Sequence, residues 1–275
     1  MSINNQSEPD KYSIDDLRLL MRRLRDPSTG CPWDLKQDFK SITSHTLEEV
    51  YEVVDAIERN DFEHLQDELG DLLFQIIFYS QLGEEQNQFD FGQVTTAITQ
   101  KLLRRHPHVF PDGTLSSQRA VGVHPEEAQI RQSWEKIKQQ ERSHKGDYSL
   151  LDDVPRALPG LTRAAKLQKR AASVGFDWQA IAPVMDKLEE EMAELKIELA
   201  RGNQEAVAEE LGDLMFSCVN LARHTKLDPE KVMRQANEKF SRRFKAMESL
   251  TDLKSLDNYS IDEMELLWQR AKELE

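Results

Sequence analysis

The sequence contains few of the residues that mark secreted or membrane proteins. Its 2 cysteines in 275 residues, Cys31 and Cys218, are too few for a disulfide framework and lack CxxC spacing. No run approaches the roughly 18 apolar residues that a spanning helix needs. The N-terminal residues also lack the apolar segment of a secretory signal. These absences predict a cytoplasmic protein that does not enter a membrane.

Positive charge is scarce as well. Lys and Arg together number 36 against 50 for Asp and Glu, so the formal net charge is −14. A protein that binds duplex nucleic acid needs a basic surface, and we expect no such partner here. Nucleotides remain compatible with the acidic sequence because a bound divalent cation inverts the local field. Solubility is the simpler explanation of the surplus acid.

Strand patterns and phosphate-binding loops are also missing. The β-branched residues show no alternation, and the 11 glycines form no Walker-type loop. Helix signals recur instead, and they predict helices over about 91–105, 125–143, 182–201 and 204–224. A capping box of Thr46 and Glu49 is expected to begin a further one. We predict an all-α fold.

The second half of the chain repeats the first. The run Glu68-Leu69-Gly70-Asp71 recurs unchanged, 142 residues later, as Glu210-Leu211-Gly212-Asp213. Two tandem helical-bundle modules are therefore predicted, over residues 1–144 and 151–275, with a linker at 145–150.

Acidic residues of each module are placed symmetrically about a turn. In the second module, Glu191 and Asp213 are equally far from Gly202, and so are Glu194 and Glu210. Residues related in this way lie level in an antiparallel helix pair. Two apolar seams are expected to pack between these helices: Met185, Leu188, Met192, Leu195 and Leu199 against Val207, Leu211, Leu214, Cys218 and Leu221. The acids directly precede seam positions, so we place them on the facing flanks.

The first module repeats this arrangement about Asn60, with the acids Glu49, Glu52, Glu68 and Asp71. Four convergent carboxylates repel one another unless they are protonated or neutralised by a cation. An all-oxygen set suits Mg²⁺, with Mn²⁺ as a substitute, and more than one metal per site is compatible with four acids. Glu-rich flanks are usually only solvated and paired with residues such as Lys187 and Lys196. The doubled, turn-centred arrangement favours metal binding.

Other residues complete a nucleotide-site hypothesis. Lys239, Arg242 and Arg243 lie one helix downstream, and cationic groups near a metal suit a polyphosphate; otherwise they form an exposed basic face. Lys187 lies one turn before Glu191 and is also within reach of phosphate. Trp268 is placed either to stack on a base or to dock its helix. A di-iron centre is disfavoured because the acid pairs are ExxE and ExxD rather than Glu-x-x-His.

Several phrases together resemble the MazG nucleoside triphosphate pyrophosphohydrolases over most of the chain: GCPWDLKQ, LEEVYEV, DELGDLLFQ, EELGDLMFSCVNLARH and ANEKFSRRF. The resemblance is to the tandem two-domain form. It implies magnesium-dependent attack of water at the α-phosphorus, giving a nucleoside monophosphate and pyrophosphate. It further implies a homodimer and broad tolerance of the base, in ribo- and deoxynucleotides, as expected of nucleotide-pool house-cleaning.

The resemblance also assigns residues. Glu191, Glu194, Glu210 and Asp213 match the metal ligands, and Lys239, Arg243 and Trp268 match the contacts to phosphate and base. Glu190 or Glu191 is expected to orient or deprotonate water. The C-terminal module resembles the catalytic one and the N-terminal module a structural or regulatory one, although it keeps all four acids. Two alternatives stay open: a pyrophosphatase specific for one nucleotide, and a helical dimerisation or regulatory scaffold with a vestigial metal site.

Overall fold

The structure, a computed structural model, describes residues 11–122, 125–145, 149–251 and 256–274. Every regular element in these residues is a helix, which confirms the all-α prediction. The chain divides into two units, Met1–Lys138 and Gln139–Glu275. Half of the predicted linker at 145–150 lies outside the described residues, since 146–148 are not described. Within the described ranges, no helix is long and apolar enough to cross a membrane.

Five helices begin in the N-terminal unit. They are α1 (Ile14–Leu24), α2 (Thr43–Arg59), α3 (Phe62–Glu85), α4 (Phe91–Arg105) and α5 (Glu127–Lys145), with a 3₁₀ turn at Asp34–Lys36. The α2–α3 pair forms an antiparallel hairpin, and α1 and α4 pack on α3. Behind the hairpin lies a core whose fully buried members are Met21, Ile42, Ile77, Phe78 and Leu82.

The C-terminal unit contains the other five helices. They are α6 (Gly160–Ala172), α7 (Ala182–Arg201), α8 (Gln204–His224), α9 (Pro229–Ser249) and α10 (Ile261–Glu273), with a 3₁₀ turn at Leu256–Asn258. The α7–α8 hairpin corresponds to α2–α3, while α6 packs on α8 and α9. Helix α6 lies in a segment for which we make no prediction from sequence, although it is amphipathic.

Local sequence explains both hairpin turns. Asn60 and Gly202 end α2 and α7 in the left-handed conformation, at φ +56° and +72°. Asp61 and Asn203 then accept backbone N–H groups in the first turns of α3 and α8, which satisfies donors that a helix leaves unpaired. These turns lie where the spacing of the acids predicted them.

The capping box predicted for Thr46 and Glu49 is wrong. Helix α2 begins one turn earlier, at Thr43, because Ile42 is buried in the core beside it. The Thr46 hydroxyl donates to the carbonyl of Ile42 at 3.1 Å and lies 3.0 Å from the hydroxyl of Tyr79. The Thr46 side chain therefore links α2 to α3 from a position inside α2, rather than capping its N-terminus.

The prediction that both apolar seams pack within the hairpin is wrong in part. Leu195 is buried, but Met192 is 42% exposed, Leu199 57% and Leu211 46%. A helix has one face toward its hairpin partner, and these side chains lie outside it. The C-terminal hairpin thus presents apolar side chains to solvent.

Gly202→Ala tests the turn that sets the register of the hairpin. The side chain added at φ +72° meets no atom within 4 Å, so its effect comes from the backbone conformation. We expect the variant to lose about 1 kcal/mol of unfolding free energy, measured by urea denaturation.

Gly212→Ala is the matched control, since it lies inside α8 and its added methyl also meets nothing within 4 Å. Ala is the better helix former, so this variant should gain up to about 1 kcal/mol. Equal effects of the two substitutions would contradict the assignment of the turn.

Candidate metal and nucleotide site

The α7–α8 hairpin brings three carboxylates together. One oxygen from each of Glu191, Glu194 and Glu210 lies within 4.8 Å of the other two. Glu191 and Glu194 are one turn apart on α7, so they share a face, and Glu210 comes from the facing helix. This is the convergence that the spacing about Gly202 predicted.

Burial differs sharply within this group. Glu191 is 4% exposed, Glu194 is exposed and Glu210 is half-buried. The sequence placed Glu191 on the helix flank, but Val184, Glu191 and Leu195 are the buried residues of α7. Their spacing of seven and four residues is that of an apolar stripe, so Glu191 occupies a position where an apolar side chain is expected.

Electrostatics identify unbalanced negative charge at the cluster. Burial raises the pKa of Glu210 above its ordinary value, and the charges of Glu194 and Glu191 raise it further. Asp213 is exposed and lies outside the group of three, although its charge acts on the pKa of Glu210 in the same sense. Its role as a ligand stays a prediction.

The N-terminal hairpin holds a second group of the same kind. Oxygens of Glu49, Glu52 and Glu68 also lie within 4.8 Å of one another. Burial raises the pKa of Glu49, and the charge of Asp71 is the next cause. Burial likewise raises the pKa of Glu68, followed by the charge of Glu52. Asp71, like Asp213, is exposed and stands outside its group.

Both donor sets fit a hard divalent cation. They consist of carboxylate oxygens, which Mg²⁺ and Mn²⁺ prefer, at separations compatible with a shared ion. Burial first, and then the charges of neighbouring carboxylates, raise the pKa of Glu49 and of Glu210, and a cation at either group would offset that repulsion. Glu191, Glu194 and Glu210 would hold a cation in the C-terminal unit.

Lys187 and Glu190 lie against the C-terminal cluster. The Lys187 ammonium is 2.7 Å from a carboxylate oxygen of Glu191 and 2.8 Å from one of Glu190. Hydrogen bonds to both glutamates raise the pKa of Lys187, so it stays protonated. Glu190 is exposed beside the cluster.

The other predicted contacts lie on α9 and α10. Lys239 and Arg242 are exposed and Arg243 is half-buried. Trp268 packs against the core between these helices, and its ring centroid is 5.3 Å from that of Phe240, which is 57% exposed. Phe240 therefore adds a partly exposed aromatic ring beside that of Trp268.

Comparison with known proteins identifies the family. The model of the MazG nucleotide pyrophosphohydrolase domain matches residues 37–110 and 179–247, just over half of the chain in two copies. The chain belongs to the MazG family. Each matched segment contains one acid hairpin, which confirms the tandem MazG-like architecture, while Trp134 and Trp268 lie outside the matched residues.

Long MazG relatives match nearly the whole chain. The nucleoside triphosphate pyrophosphohydrolase of Escherichia coli K12 is 47% identical over 266 residues, which are 95% of this chain and 98% of that protein. The nucleoside triphosphate pyrophosphohydrolase/pyrophosphatase MazG of Thermotoga maritima is 37% identical, over 94% and 95%. The uncharacterized protein YabN of Bacillus subtilis is 39% identical over 96% of this chain and 52% of its own length.

A separate charged cluster anchors Asp177, in the segment before α7. Both guanidinium NH groups of Arg223 donate to the carboxylate of Asp177, and His224 Nε2 lies 3.1 Å from it. Arg223 follows Glu210 by 13 residues on α8, or about 20 Å along the axis. Asp177 therefore fixes the segment before α7 to the far end of α8.

Asp177→Asn should change acid stability in a defined direction. Hydrogen bonds from Arg223 hold the pKa of Asp177 below its ordinary value. Such a group stabilises the fold above its unfolded pKa of about 4, and this contribution is lost as the pH falls through the lower folded pKa. The variant should be less stable at pH 7 and lose less stability on acidification, as measured by urea denaturation across pH.

Asp186→Asn, which removes an exposed carboxylate of the same unit, is the control. Identical acid profiles for the two variants would show that the Asp177–Arg223 pair does not contribute.

Proposed function

We propose that this chain hydrolyses nucleoside triphosphates to nucleoside monophosphates and pyrophosphate at the carboxylate cluster of its C-terminal unit. The observation that carries the proposal is the approach of Glu191, Glu194 and Glu210 oxygens to within 4.8 Å. Membership of the MazG family and the names of the E. coli and T. maritima relatives support the substrate class.

The cluster is proposed to bind Mg²⁺, with Mn²⁺ as a substitute. When bound, the metal supplies charge neutralisation at phosphate oxygens. Glu191, Glu194, Glu210 and Asp213 are the proposed ligands. Glu190, which is exposed beside them and pairs with Lys187, or Glu191 is proposed to orient or deprotonate the attacking water.

The remaining predicted residues suit the rest of a nucleotide. Lys239, Arg242 and Arg243 are proposed to contact the phosphate chain and stabilise the departing pyrophosphate. Trp268, together with Phe240, offers an aromatic face for the base. Stacking on a ring face tolerates every base, which supports broad base tolerance over a single preferred nucleotide. Use of both ribo- and deoxynucleotides is proposed from the MazG resemblance.

The two units are proposed to have different roles. The N-terminal unit keeps its acid group, so it is a second candidate metal site. Leu102 and His106 stand where the C-terminal unit has Phe240 and Phe244, and this loss of aromatic surface favours a structural or regulatory role. We place the enzyme in the cytoplasm as a nucleotide-pool house-cleaning activity; its two free cysteines suit a reducing compartment.

Product analysis in oxygen-18 water tests the reaction. With ATP or dATP and Mg²⁺, attack of water at the α-phosphorus should place the label in the monophosphate and leave pyrophosphate unlabelled, as read by mass spectrometry. Release of orthophosphate and a nucleoside diphosphate would contradict the proposal.

Substitutions of equivalent acids in the two units test which unit is catalytic. Glu194→Gln should lower turnover by about a hundredfold or more, because it removes a charge that the metal needs. Glu52→Gln alters the equivalent position of the N-terminal unit and should leave at least about half of the activity. The reverse pattern would move catalysis to the N-terminal unit.

A homodimer is proposed from the apolar surface of the α7–α8 hairpin. Met185, Met192, Leu199 and Leu211 are each more than 40% exposed. A contiguous exposed apolar face marks an interaction surface in a soluble protein, and a second copy offers the same face in a symmetric contact.

Leu199→Glu should therefore shift the protein from dimer to monomer, since it places a charge in the proposed interface. The mass is measured by size-exclusion chromatography with light scattering. Ala200→Glu adds the same charge at the adjacent exposed position and should leave the dimer intact. A monomeric parent protein would contradict the dimer.

A further inference from the structure

The most informative contact outside the carboxylates themselves is the ion pair of Lys187 with Glu191. The two residues are one turn apart on α7, and the ammonium lies 2.7 Å from the Glu191 carboxylate. The Glu191 side chain is only 5% exposed, whereas that of Lys187 is 33% exposed. A carboxylate so buried requires a counter-charge, and Lys187 provides it.

Glu191 is also a member of the group proposed to hold a divalent cation. Within the described ranges of the chain, no ion pair involves Glu194 or Glu210, so Lys187 neutralises one carboxylate of the three. A divalent ion shared by the group would lie close to the ammonium that contacts Glu191. Two cations at such a distance repel each other strongly in a partly buried site.

We propose that Lys187 and the divalent cation compete for Glu191, and that metal binding displaces the ammonium toward the phosphate chain of the substrate. This inference rests on the proposed function. It makes Lys187 a positioning residue that favours metal binding together with the nucleotide and opposes binding of the metal alone.

The surroundings of Lys187 permit this displacement. Glu190 is exposed and holds the same ammonium at 2.8 Å, so it supplies a second anchor when Glu191 is taken by metal. The four-carbon stem of lysine is flexible and its ammonium accepts several geometries. A phosphate oxygen near Glu190 would then meet a cation that is already present at the edge of the site.

The N-terminal hairpin provides an internal comparison. His45 occupies the position of Lys187 in the repeat, 142 residues earlier. Its ring lies 3.6 Å from Glu48 rather than Glu49, and it packs edge-on against Trp33. No ion pair to Glu49 occurs in the described part of the chain. The N-terminal group therefore has no equivalent competitor, and the two units should bind divalent metal with different affinities.

Metal titration of the full chain without nucleotide tests the competition. In a Glu52→Gln background, which weakens the N-terminal site, Mn²⁺ binding is followed by electron paramagnetic resonance. Lys187→Met should tighten the remaining site by about tenfold, the effect of one modest charge interaction. Lys187→Arg, which keeps the charge, should stay near the parent affinity.

Lys196→Met is the matched control because it removes the same charge from an exposed position of α7. It should change Mn²⁺ affinity by less than about twofold, as expected of a solvent-screened charge. An equal effect of the Lys187 and Lys196 substitutions, or no effect of either, would overturn the competition.

A second titration uses a non-hydrolysable α,β-methylene triphosphate at saturating Mg²⁺, measured by calorimetry. Lys187→Met should weaken this ligand although it tightens Mn²⁺ alone. Loss of both affinities would show that Lys187 only supports the local structure, and would overturn the inference. If Lys187→Met releases pyrophosphate normally and its affinity for Mn²⁺ is unchanged, the competition is rejected and the proposed function stands. If the affinities change as predicted but no pyrophosphate is released, the proposed function is rejected and the competition at Glu191 stands.

Discussion

Repulsion between carboxylates on facing helices is the constraint around which each hairpin is organised. Glu191 and Glu194 meet Glu210 across the α7–α8 pair at oxygen separations below 4.8 Å. Such a group is unfavourable unless a cation balances it, and the charges of Glu194 and Glu191 add to burial in raising the pKa of Glu210. Rigid helices joined by a two-residue turn hold the oxygens together despite the repulsion. The same stiffness preorganises a cation site, because the ligands do not have to be gathered when the metal arrives.

Tandem repetition has preserved this constraint while changing its surroundings. Both hairpins keep three acids in contact range, but only the C-terminal one has a lysine paired with its most buried glutamate. Its α9 and α10 also present Phe240 beside Trp268. In the N-terminal unit Leu102 stands in place of Phe240, and the ring beside Trp134 is instead that of His106, with centroids 5.9 Å apart. Divergence has therefore acted on the groups that would meet a substrate more than on the acids.

The extent to which sequence predicted the structure follows from the range of the interactions involved. Turns at Asn60 and Gly202 and the limits of α4 and α7 depend on neighbouring residues, and the sequence located them. Once the turn is located, residues at equal distances before and after it lie level across the hairpin, and this gives the pairing of the acids. Exposure of Met192 and Leu199 depends on which face of α7 meets α8, and apolar spacing alone does not distinguish a face covered within the unit from one left open. No prediction from sequence covers α6, although this helix is amphipathic and packs on α8 and α9.

Burial of Glu191 shows most clearly what local pattern leaves out. Val184 and Leu195 lie on the same buried stripe, and an apolar residue between them would stabilise the hairpin more than a carboxylate does. A carboxylate at this position costs free energy that Lys187 offsets only in part, because the ion pair must itself be partly desolvated. Stability alone gives no reason for an acid at this position. A role as ligand of a divalent cation does explain it, because desolvation strengthens the attraction between the carboxylate and the metal. The residue that departs furthest from the helical pattern is therefore the one that the proposed chemistry most requires.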